Sequence, residues 1–280
     1  MAASCTPKDR PESDFLPGRK LSELKEKKLS EVSGLATSIR NPGRLWAHND
    51  RGNRPEVYLI DDKCDVKLTV VLDGIKNRDW EDIAVGPGPD STKSYVYVGD
   101  IGDNDGVHKL KYIYRFEEPL NESGDDKITI ANFETIVFRL PNSREMDSEA
   151  LFLNTATRDL YIVTKRENPV HVYEIRYSDT PGDTITAQEI ASLPTFEIVA
   201  ADLSADGKGL LMKNYSHIYY WNNSSGKPIA ELLKEKPVEI PYHPEPQGES
   251  LAWARDNSGF YTLSEVTKNA SSYLYFYQKK

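Results

Sequence analysis

Residues 149–175 read EALFLNTATRDLYIVTKRENPVHVYEI, and the pattern of this stretch predicts the fold. It contains three short runs of apolar, β-branched and aromatic residues, and the turn-forming segment TATR (155–158) separates the first two runs. Short runs of this kind, bounded by turn residues and alternating in character, are typical of antiparallel strands. The acidic residue Glu149 opens the first run. The stretch therefore predicts three strands of a small antiparallel sheet.

The same unit occurs five times along the chain. Each copy opens with a small or acidic residue and an apolar pair or near-pair, and the spacings between the opening residues are 48, 68, 52 and 48 residues. The opening residues are Ser33, Glu81, Glu149, Ala201 and Glu249. A four-stranded propeller blade takes about 40–50 residues, so one spacing contains an insertion. The repeat predicts an all-β fold, a five-bladed β-propeller of four-stranded antiparallel blades.

The outer strand of each blade shows how the ring closes. Four units have a fourth apolar segment, at residues 67–72, 133–138, 185–190 and 237–240, and the fifth unit reaches Lys280 without one. Residues 19–29 are left over at the other end, and we expect them to supply the missing strand, because closure removes an open sheet edge. The Glu and Lys residues of 21–28 favour a helix as the competing interpretation.

Composition limits the class of protein. The 280 residues are 38% hydrophobic and carry a formal net charge of −9. The acidic balance argues against nucleic acid and anionic membranes as partners and suits the recruitment of cations. No apolar run approaches the ~20 residues of a spanning helix. Two cysteines provide neither a disulfide framework nor a thiolate zinc site. We expect a monomer.

The N-terminal segment allows two interpretations. Residues 2–5 (AASC) look like the end of a bacterial lipoprotein signal, although the hydrophobic region of such a signal does not precede them. In that case Cys5 carries a lipid anchor and the protein belongs to the cell envelope or is secreted. Otherwise, residues 1–18 are the disordered tail of a cytoplasmic protein. Either way, residues 19–280 are expected to form one propeller domain.

The opening residues of the units are the candidate metal ligands. The first strand of a blade lines the axis, so these positions face the central channel. Three carboxylates in a narrow channel repel one another unless some are protonated or a cation lies among them. Oxygen ligands favour calcium over zinc or copper, with magnesium second. The predicted ligand positions are Ser33, Glu81, Glu149, Ala201 and Glu249, with Asp202 able to replace Ala201. Alternatively, the glutamates are solvated or bind lysines of a partner.

A second group of polar residues follows the second strands. We expect these loops to meet at one mouth of the channel, where basic side chains bind phosphate oxygens and carboxylates hold a second ion or accept a proton. The candidate catalytic residues are Asp50, Arg51, Asp100 and Arg166, and the candidate substrate-binding residues are Asn49, Asp103, Lys165 and Lys213. The alternative is that these residues form ion pairs that order the loops.

With these residues in view, the chain resembles the soluble calcium-activated nucleotidases, or animal apyrases, which are five-bladed propellers with one central calcium. The resemblance rests on segments 30–33 (SEVS), 80–81 (WE), 148–149 (SE), 248–249 (GE), 49–52 (NDRG) and 165–166 (KR). It implies calcium bound by Ser33 and the three glutamates. The family has a serine where this chain has Ala201, so only a backbone oxygen or Asp202 is available there. The family's Asp-Asp is Asn49-Asp50 here, and the 99–104 loop also differs.

Two functions are consistent with the predicted fold and metal ligands. The first is a calcium-dependent hydrolase of a phosphorylated or other anionic small molecule, similar to a nucleotidase. The second is a non-catalytic binding propeller at a bacterial surface, with a structural calcium in its channel. A propeller hosts both kinds of function, so the fold alone does not decide between them.

Overall fold

The computed structural model describes residues 13–121, 124, 126–179 and 183–280. Almost all regular structure in these residues is β-strand. In chain order the strands are β1 (Arg19–Glu23), β2 (Val32–Thr37), β3 (Leu45–Asn49), β4 (Glu56–Ile60), β5 (Val66–Leu72), β6 (Trp80–Pro87), β7 (Ser94–Asp100), β8 (Lys111–Glu117), β9 (Lys127–Ile130), β10 (Glu134–Arg139), β11 (Ser148–Leu153), β12 (Leu160–Thr164), β13 (Val170–Ile175), β14 (Ile185–Thr186), β15 (Gln188–Leu193), β16 (Ala200–Leu203), β17 (Gly209–Lys213), β18 (Ile218–Asn222), β19 (Val238–Ile240), β20 (Ser250–Trp253), β21 (Gly259–Leu263) and β22 (Tyr273–Gln278).

The strands form five small sheets, and the predicted five-bladed propeller is confirmed. From the axis outward, the antiparallel blades are β2-β3-β4-β5, β6-β7-β8-β10, β11-β12-β13-β15, β16-β17-β18-β19 and β20-β21-β22-β1. The first strand of each blade contacts the first strand of the next, and β20 contacts β2. These five innermost strands therefore surround the channel.

Helical structure is confined to single turns in the described part of the chain. One α-helix spans Ile229–Leu232, and 3-10 turns occupy Lys27–Leu29, Pro141–Ser143 and Tyr177–Asp179. None of these helices has the length and apolar character that crossing a membrane requires.

The N-terminal strand closes the ring, as predicted. Strand β1 pairs antiparallel with β22, so the last blade is built from both chain ends. The competing helix reduces to the 3-10 turn at Lys27–Leu29. The predicted tether is too long, because Phe15 is buried against Tyr220 and Phe260 with ring centroids 5.1 and 5.3 Å away. Cys5 lies outside the described residues, and Cys64 is buried and forms no disulfide with any residue that the structure describes.

The outer strands differ from the prediction in two places. The segment predicted at 185–190 is two strands: β14 pairs parallel with β10 of blade 2, whereas β15 closes blade 3. They part at Ala187, whose side chain is buried in the core between these blades.

In addition, β9 pairs parallel with β5 at the rim of blade 1. This strand lies in the insertion that lengthens the second unit to 68 residues.

The hydrophobic core lies between the blades. Each of five buried clusters combines side chains from one pair of neighbouring blades. Between blades 1 and 2, for example, Trp46 and Val57 meet Val96 and Val98. Successive strand residues point to opposite faces, and each blade buries one face against each neighbour, so inner strands such as Leu160–Thr164 are buried at every position.

Polar contacts join the innermost strands across the channel. The Asp82 carboxylate of blade 2 accepts N–H groups of Leu151 in blade 3 (2.9 Å) and Ala201 in blade 4 (3.4 Å). The Asp202 carboxylate accepts the Trp253 N–H of blade 5 at 2.7 Å. These contacts fix the relative heights of the strands that carry the candidate ligands.

Candidate metal centre at the channel mouth

Three of the predicted ligand positions are β-bulges. The pairing of β2 with β3, of β6 with β7 and of β11 with β12 shifts register at Ser33, Glu81 and Glu149, respectively. A bulge re-aims a side chain, and such bulges are frequent beside active sites. Blade 4 has no shift, and its Ala201 pairs regularly with Met212. The sequence repeat therefore marks a conformational repeat in blades 1 to 3.

A second ring of residues faces these positions. In four blades, a residue one or two positions after the second strand donates its backbone N–H to the carbonyl oxygen two positions before the bulge or its equivalent. The donors are Asp50, Gly102, Lys165 and Glu265, and their acceptors are Glu31, Asp79, Asp147 and Gln247, at 2.8–3.2 Å. The repeated hydrogen bond places these donor residues beside the predicted ligand positions, at one mouth of the channel.

Carboxylates of blades 1, 2 and 3 meet at this mouth. Ligand oxygens of Asp50, Asp79 and Glu81 lie within 4.8 Å of one another, and so do those of Glu81, Asp147 and Glu149. We call the first group the blade-1/2 triplet and the second group the blade-2/3 triplet. Glu81 belongs to both triplets. A cation held here would have oxygen ligands only, a donor set that suits calcium.

Burial and mutual repulsion raise the pKa values of the carboxyl groups in this cluster. Burial, followed by repulsion from Glu149, raises the pKa of Glu81 well above its usual range. Burial likewise raises the pKa of Glu149 to about 8 and that of Asp50 to about 6. Glu265, half-buried beside Asp50 and Glu249, has its pKa raised by burial to about 7. Without a cation, these carboxylates retain protons at higher pH than free carboxylic acids do.

Two basic side chains enter the cluster from blade 3. The Lys165 Nζ lies 2.8 Å from a Glu149 oxygen and 3.8 Å from a Glu249 oxygen. Burial disfavours its ammonium, but the attraction of Glu149 outweighs burial and raises the pKa of Lys165. The Arg166 Nε lies 2.7 Å from Asp147 Oδ2. Both predicted substrate-region bases are thus paired with acids of the site.

The remaining predicted metal positions lie in different surroundings. The Ser33 hydroxyl donates to the Glu81 carbonyl oxygen at 2.6 Å, and Glu249, just before β20, accepts the Tyr215 hydroxyl. Ala201 lies on β16 and contributes no side-chain oxygen. Asp202 lines a small cavity of about 20 Å³ at the opposite ends of the innermost strands, so its carboxylate does not replace the missing ligand at the mouth.

Four of the predicted catalytic and substrate-binding residues are used within the fold. Asp100 binds Arg78 (3.1 Å) and the Tyr114 hydroxyl (3.2 Å). Asp103 accepts two loop N–H groups, Asn49 donates to a carbonyl oxygen at 2.6 Å, and the fully buried Lys213 donates to the Gly248 carbonyl. These side chains order loops, as the alternative interpretation expected, and we leave them out of the site.

Sequence reasoning missed Asp79, Asp147 and Gly102. The two aspartates each stand two residues before a repeated glutamate, in 79–81 (DWE) and 147–149 (DSE). Residues two apart on an extended chain lie on the same side, so this spacing was a usable signal. Gly102 packs against the acids, because a Cβ atom there would lie 2.2 Å from Glu81 Oε1 and 2.5 Å from Asp79 Cγ.

We predict that Gly102→Ala disrupts the carboxylate cluster while the protein still folds. The added methyl group must push Glu81 and Asp79 apart, and overpacking of this kind costs about 1–3 kcal/mol. Calcium affinity, measured by calorimetry, should fall at least about tenfold, equivalent to 1.4 kcal/mol. Gly99→Ala is the matched control, because its Cβ meets neighbours only at 3.3 Å. Equal calcium affinity in the two variants would contradict the packing described here.

Comparisons with known proteins support the fold but not a family. No family model and no curated protein matches the sequence. Among solved structures, the major allergen Mala s 1 of Malassezia sympodialis has a TM-score of 0.58 at 9% identity, covering 91% of this chain and 94% of that one. This likeness shows that the overall fold occurs in a solved structure, and it shows nothing about activity.

Two further solved structures have lower scores. A gluconolactonase from Xanthomonas campestris has a TM-score of 0.49 at 10% identity, over 89% of this chain and 72% of that one. A chain from a nidogen/laminin complex has a TM-score of 0.48 at 8% identity, over 83% and 72%. Neither likeness is strong enough to support an argument. The apyrase resemblance is confirmed only as far as the five-bladed fold.

Proposed function

We propose that this protein is a calcium-dependent hydrolase of a small anionic molecule and that its active site is the channel mouth. The observation that carries the proposal is the convergence of two carboxylate triplets on Glu81, at a bulge repeated in successive blades. Such a cluster is costly unless positive charge compensates it.

The residues present fit a hard divalent cation. Asp79 is only 4% exposed, and its buried Oδ1 has no hydrogen-bond partner among the described residues. The glycine at position 102 lets the carboxylates of Asp79 and Glu81 pack against the backbone, where a Cβ atom would displace them. The available ligands are carboxylate oxygens, which calcium accepts in variable number and geometry, whereas magnesium requires a tighter octahedron. A bound cation supplies Lewis acidity and a more acidic water molecule.

The chain's own residues provide the remaining functions. Arg51 is exposed beside Asp50, and its guanidinium makes no hydrogen bond or ion pair within the described residues, so it is free to bind an anion. Arginine suits this task because it donates two parallel hydrogen bonds to phosphate or carboxylate. Glu265 is a half-buried carboxylate of blade 5 at the same mouth and is placed to accept a proton from water.

The direct test is hydrolysis of nucleoside di- and triphosphates, other phosphoesters and lactones, in calcium and in chelator. We expect turnover in calcium alone, and Arg51→Ala should lower kcat/KM at least about tenfold, equivalent to 1.4 kcal/mol of transition-state binding. Arg54→Ala, in the same loop, is the control. The Arg54 side chain is exposed, and its one ion-pair partner among the described residues, Glu56, is as far away as 4.0 Å. Calcium-independent turnover, or equal loss in both variants, would count against the proposed site.

A second candidate, a binding propeller with a structural calcium, is favoured by one observation. Lys165 and Arg166 are already paired with Glu149 and Asp147. Their charges are therefore partly neutralised within the protein, which weakens their attraction for an anionic substrate. Calcium-dependent melting without turnover on any substrate class would support this candidate. The monomeric state, the lack of nucleic-acid partners, the lipid anchor and the envelope location stay predictions from the sequence.

A further inference from the structure

We infer that the cation is bound off the channel axis, in the blade-1/2 triplet of Asp50, Asp79 and Glu81, and that Lys165 and Arg166 close the blade-2/3 triplet to metal. This inference rests on the proposed function, since it specifies where the ion of that site lies. It departs from the axial ring of Ser33, Glu81, Glu149, Ala201 and Glu249 that the sequence repeat predicts.

The blade-2/3 triplet is already compensated. Glu149 has the Lys165 ammonium at 2.8 Å. Asp147 has the Arg166 guanidinium at 2.7 Å and accepts the Asp103 N–H at 2.8 Å. Of its three members, only Glu81 lacks a basic partner. A second cation placed here would have to displace these bases or lie against them.

The blade-1/2 triplet has no ion pair of this kind. Within the described residues, no lysine or arginine pairs with Asp50, Asp79 or Glu81, and the positive charge of Arg51 acts on Asp50 and Asp79 only from beyond ion-pairing distance. Asp79 Oδ1 is buried without a hydrogen-bond donor, and unlike Asp147 Oδ2, which also lacks one, it has no guanidinium beside it. The hydrogen bond that Asp50 accepts comes from the adjacent Arg51 N–H at 2.5 Å. A buried carboxylate without a donor or a counter-charge is unfavourable, so this oxygen indicates a missing positive ligand.

The second ring explains the asymmetry. Gly102 in blade 2 and Lys165 in blade 3 occupy equivalent positions, because each donates its N–H to the carbonyl oxygen of the aspartate two residues before the bulge. In blade 3, the side chain at this position covers the glutamate with an ammonium. In blade 2, the glycine brings no positive charge to the glutamate, which packs directly against it. One sequence position thus closes one triplet and leaves the other available.

Lys165 also argues against an axial ion. It reaches from blade 3 toward Glu249 of blade 5, at 3.8 Å, past the Tyr215 ring of blade 4, whose hydroxyl donates to Glu249. An ion on the axis would share Glu149 and Glu249 with this ammonium. An ion in the blade-1/2 triplet avoids it and lies beside Arg51. This position leaves coordination sites for an anionic ligand, because calcium takes 6–8 oxygens.

The test compares charge-matched variants by calorimetric calcium titration and by terbium luminescence, for which Trp80, between Asp79 and Glu81 in the chain, is the expected energy donor. Asp79→Asn should weaken calcium binding at least about tenfold, whereas Glu249→Gln should change it less than about threefold. Lys165→Met should bind calcium at least as tightly as the wild type, since a positive neighbour is removed. Asp50→Asn, at a less buried position, repeats the test if Asp79→Asn folds poorly.

The outcomes separate the inference from the proposed function. If Glu249→Gln and Glu149→Gln weaken binding while Asp79→Asn and Asp50→Asn do not, the ion is axial and only the inference is overturned. A tenfold loss in Lys165→Met would also overturn it. If the wild-type protein binds neither calcium nor terbium, the proposed function fails together with the inference.

Discussion

Glu118→Ala is expected to lower the free energy of unfolding by at least about 4 kcal/mol, the range in which single substitutions become exceptional. Glu118 is fully buried and follows β8. Its carboxylate accepts the N–H groups of Ile39 and Arg40, both at 3.1 Å, and the Trp46 Nε1–H at 2.9 Å. The hydroxyls of Ser38 and Ser94 also donate to it. A buried donor that loses its partner costs about 1–3 kcal/mol, and the donors of Ser38, Trp46 and Ser94 are buried.

The neighbouring residue provides the control for this prediction. Glu117 is exposed and pairs with Lys93 at 2.7 Å and Arg40 at 3.3 Å, and surface ion pairs contribute about 0–1 kcal/mol. Urea denaturation of Glu118→Ala, Glu117→Ala and the wild type measures the difference. If the two variants lose similar stability, the carboxylate of Glu118 does not join blades 1 and 2 in the way that the structure indicates.

Glu81→Gln is expected to weaken calcium binding at least about a hundredfold, equivalent to 2.7 kcal/mol. Glu81 belongs to both triplets, so its charge is needed whichever triplet holds the ion. The calcium-dependent rise in melting temperature should disappear with it. In chelator, the variant should melt no lower than the wild type, because the substitution removes one of several mutually repelling buried acids.

Glu31→Gln is the charge-matched control for that experiment. Glu31 precedes β2 at the same end of the innermost strands, but it is exposed and lies outside both triplets. We expect less than about a threefold change in calcium affinity, as for a screened surface charge. Similar losses in Glu31→Gln and Glu81→Gln would mean that the mouth attracts calcium through its net charge alone and not through a defined ligand set.

The fold was predictable because each blade of the propeller is encoded by a similar sequence unit. Each blade buries both faces between neighbours, so every unit shows the same sequence of apolar strands and turns. Closure by β1 followed from the missing fourth strand of the last unit. The strand predicted at 185–190 was wrong in detail, because periodicity does not show which blade a segment joins: Ile185 pairs with Phe138 of blade 2.

The site was only partly predictable. The repeat indicated that Glu81, Glu149 and Glu249 occupy equivalent positions in their blades, but it did not reveal the bulges that aim the first two. It also did not indicate Gly102, because the role of this glycine is the absence of a side chain where the carboxylates of Glu81 and Asp79 pack. Asp100 and Lys213 looked like site residues because a sequence does not show whether a polar side chain already has a partner inside the fold.

Calcium titration of the metal-free protein tests whether the carboxylates at the channel mouth bind calcium. Calorimetry, combined with melting curves in calcium, magnesium and chelator, should show one calcium bound per chain and weaker magnesium binding. Calcium at a hundred times its Kd should stabilise the folded state by about 2.7 kcal/mol. If calcium gives no binding heat and the melting temperature is the same in calcium and in chelator, the carboxylates at the channel mouth do not form a metal centre.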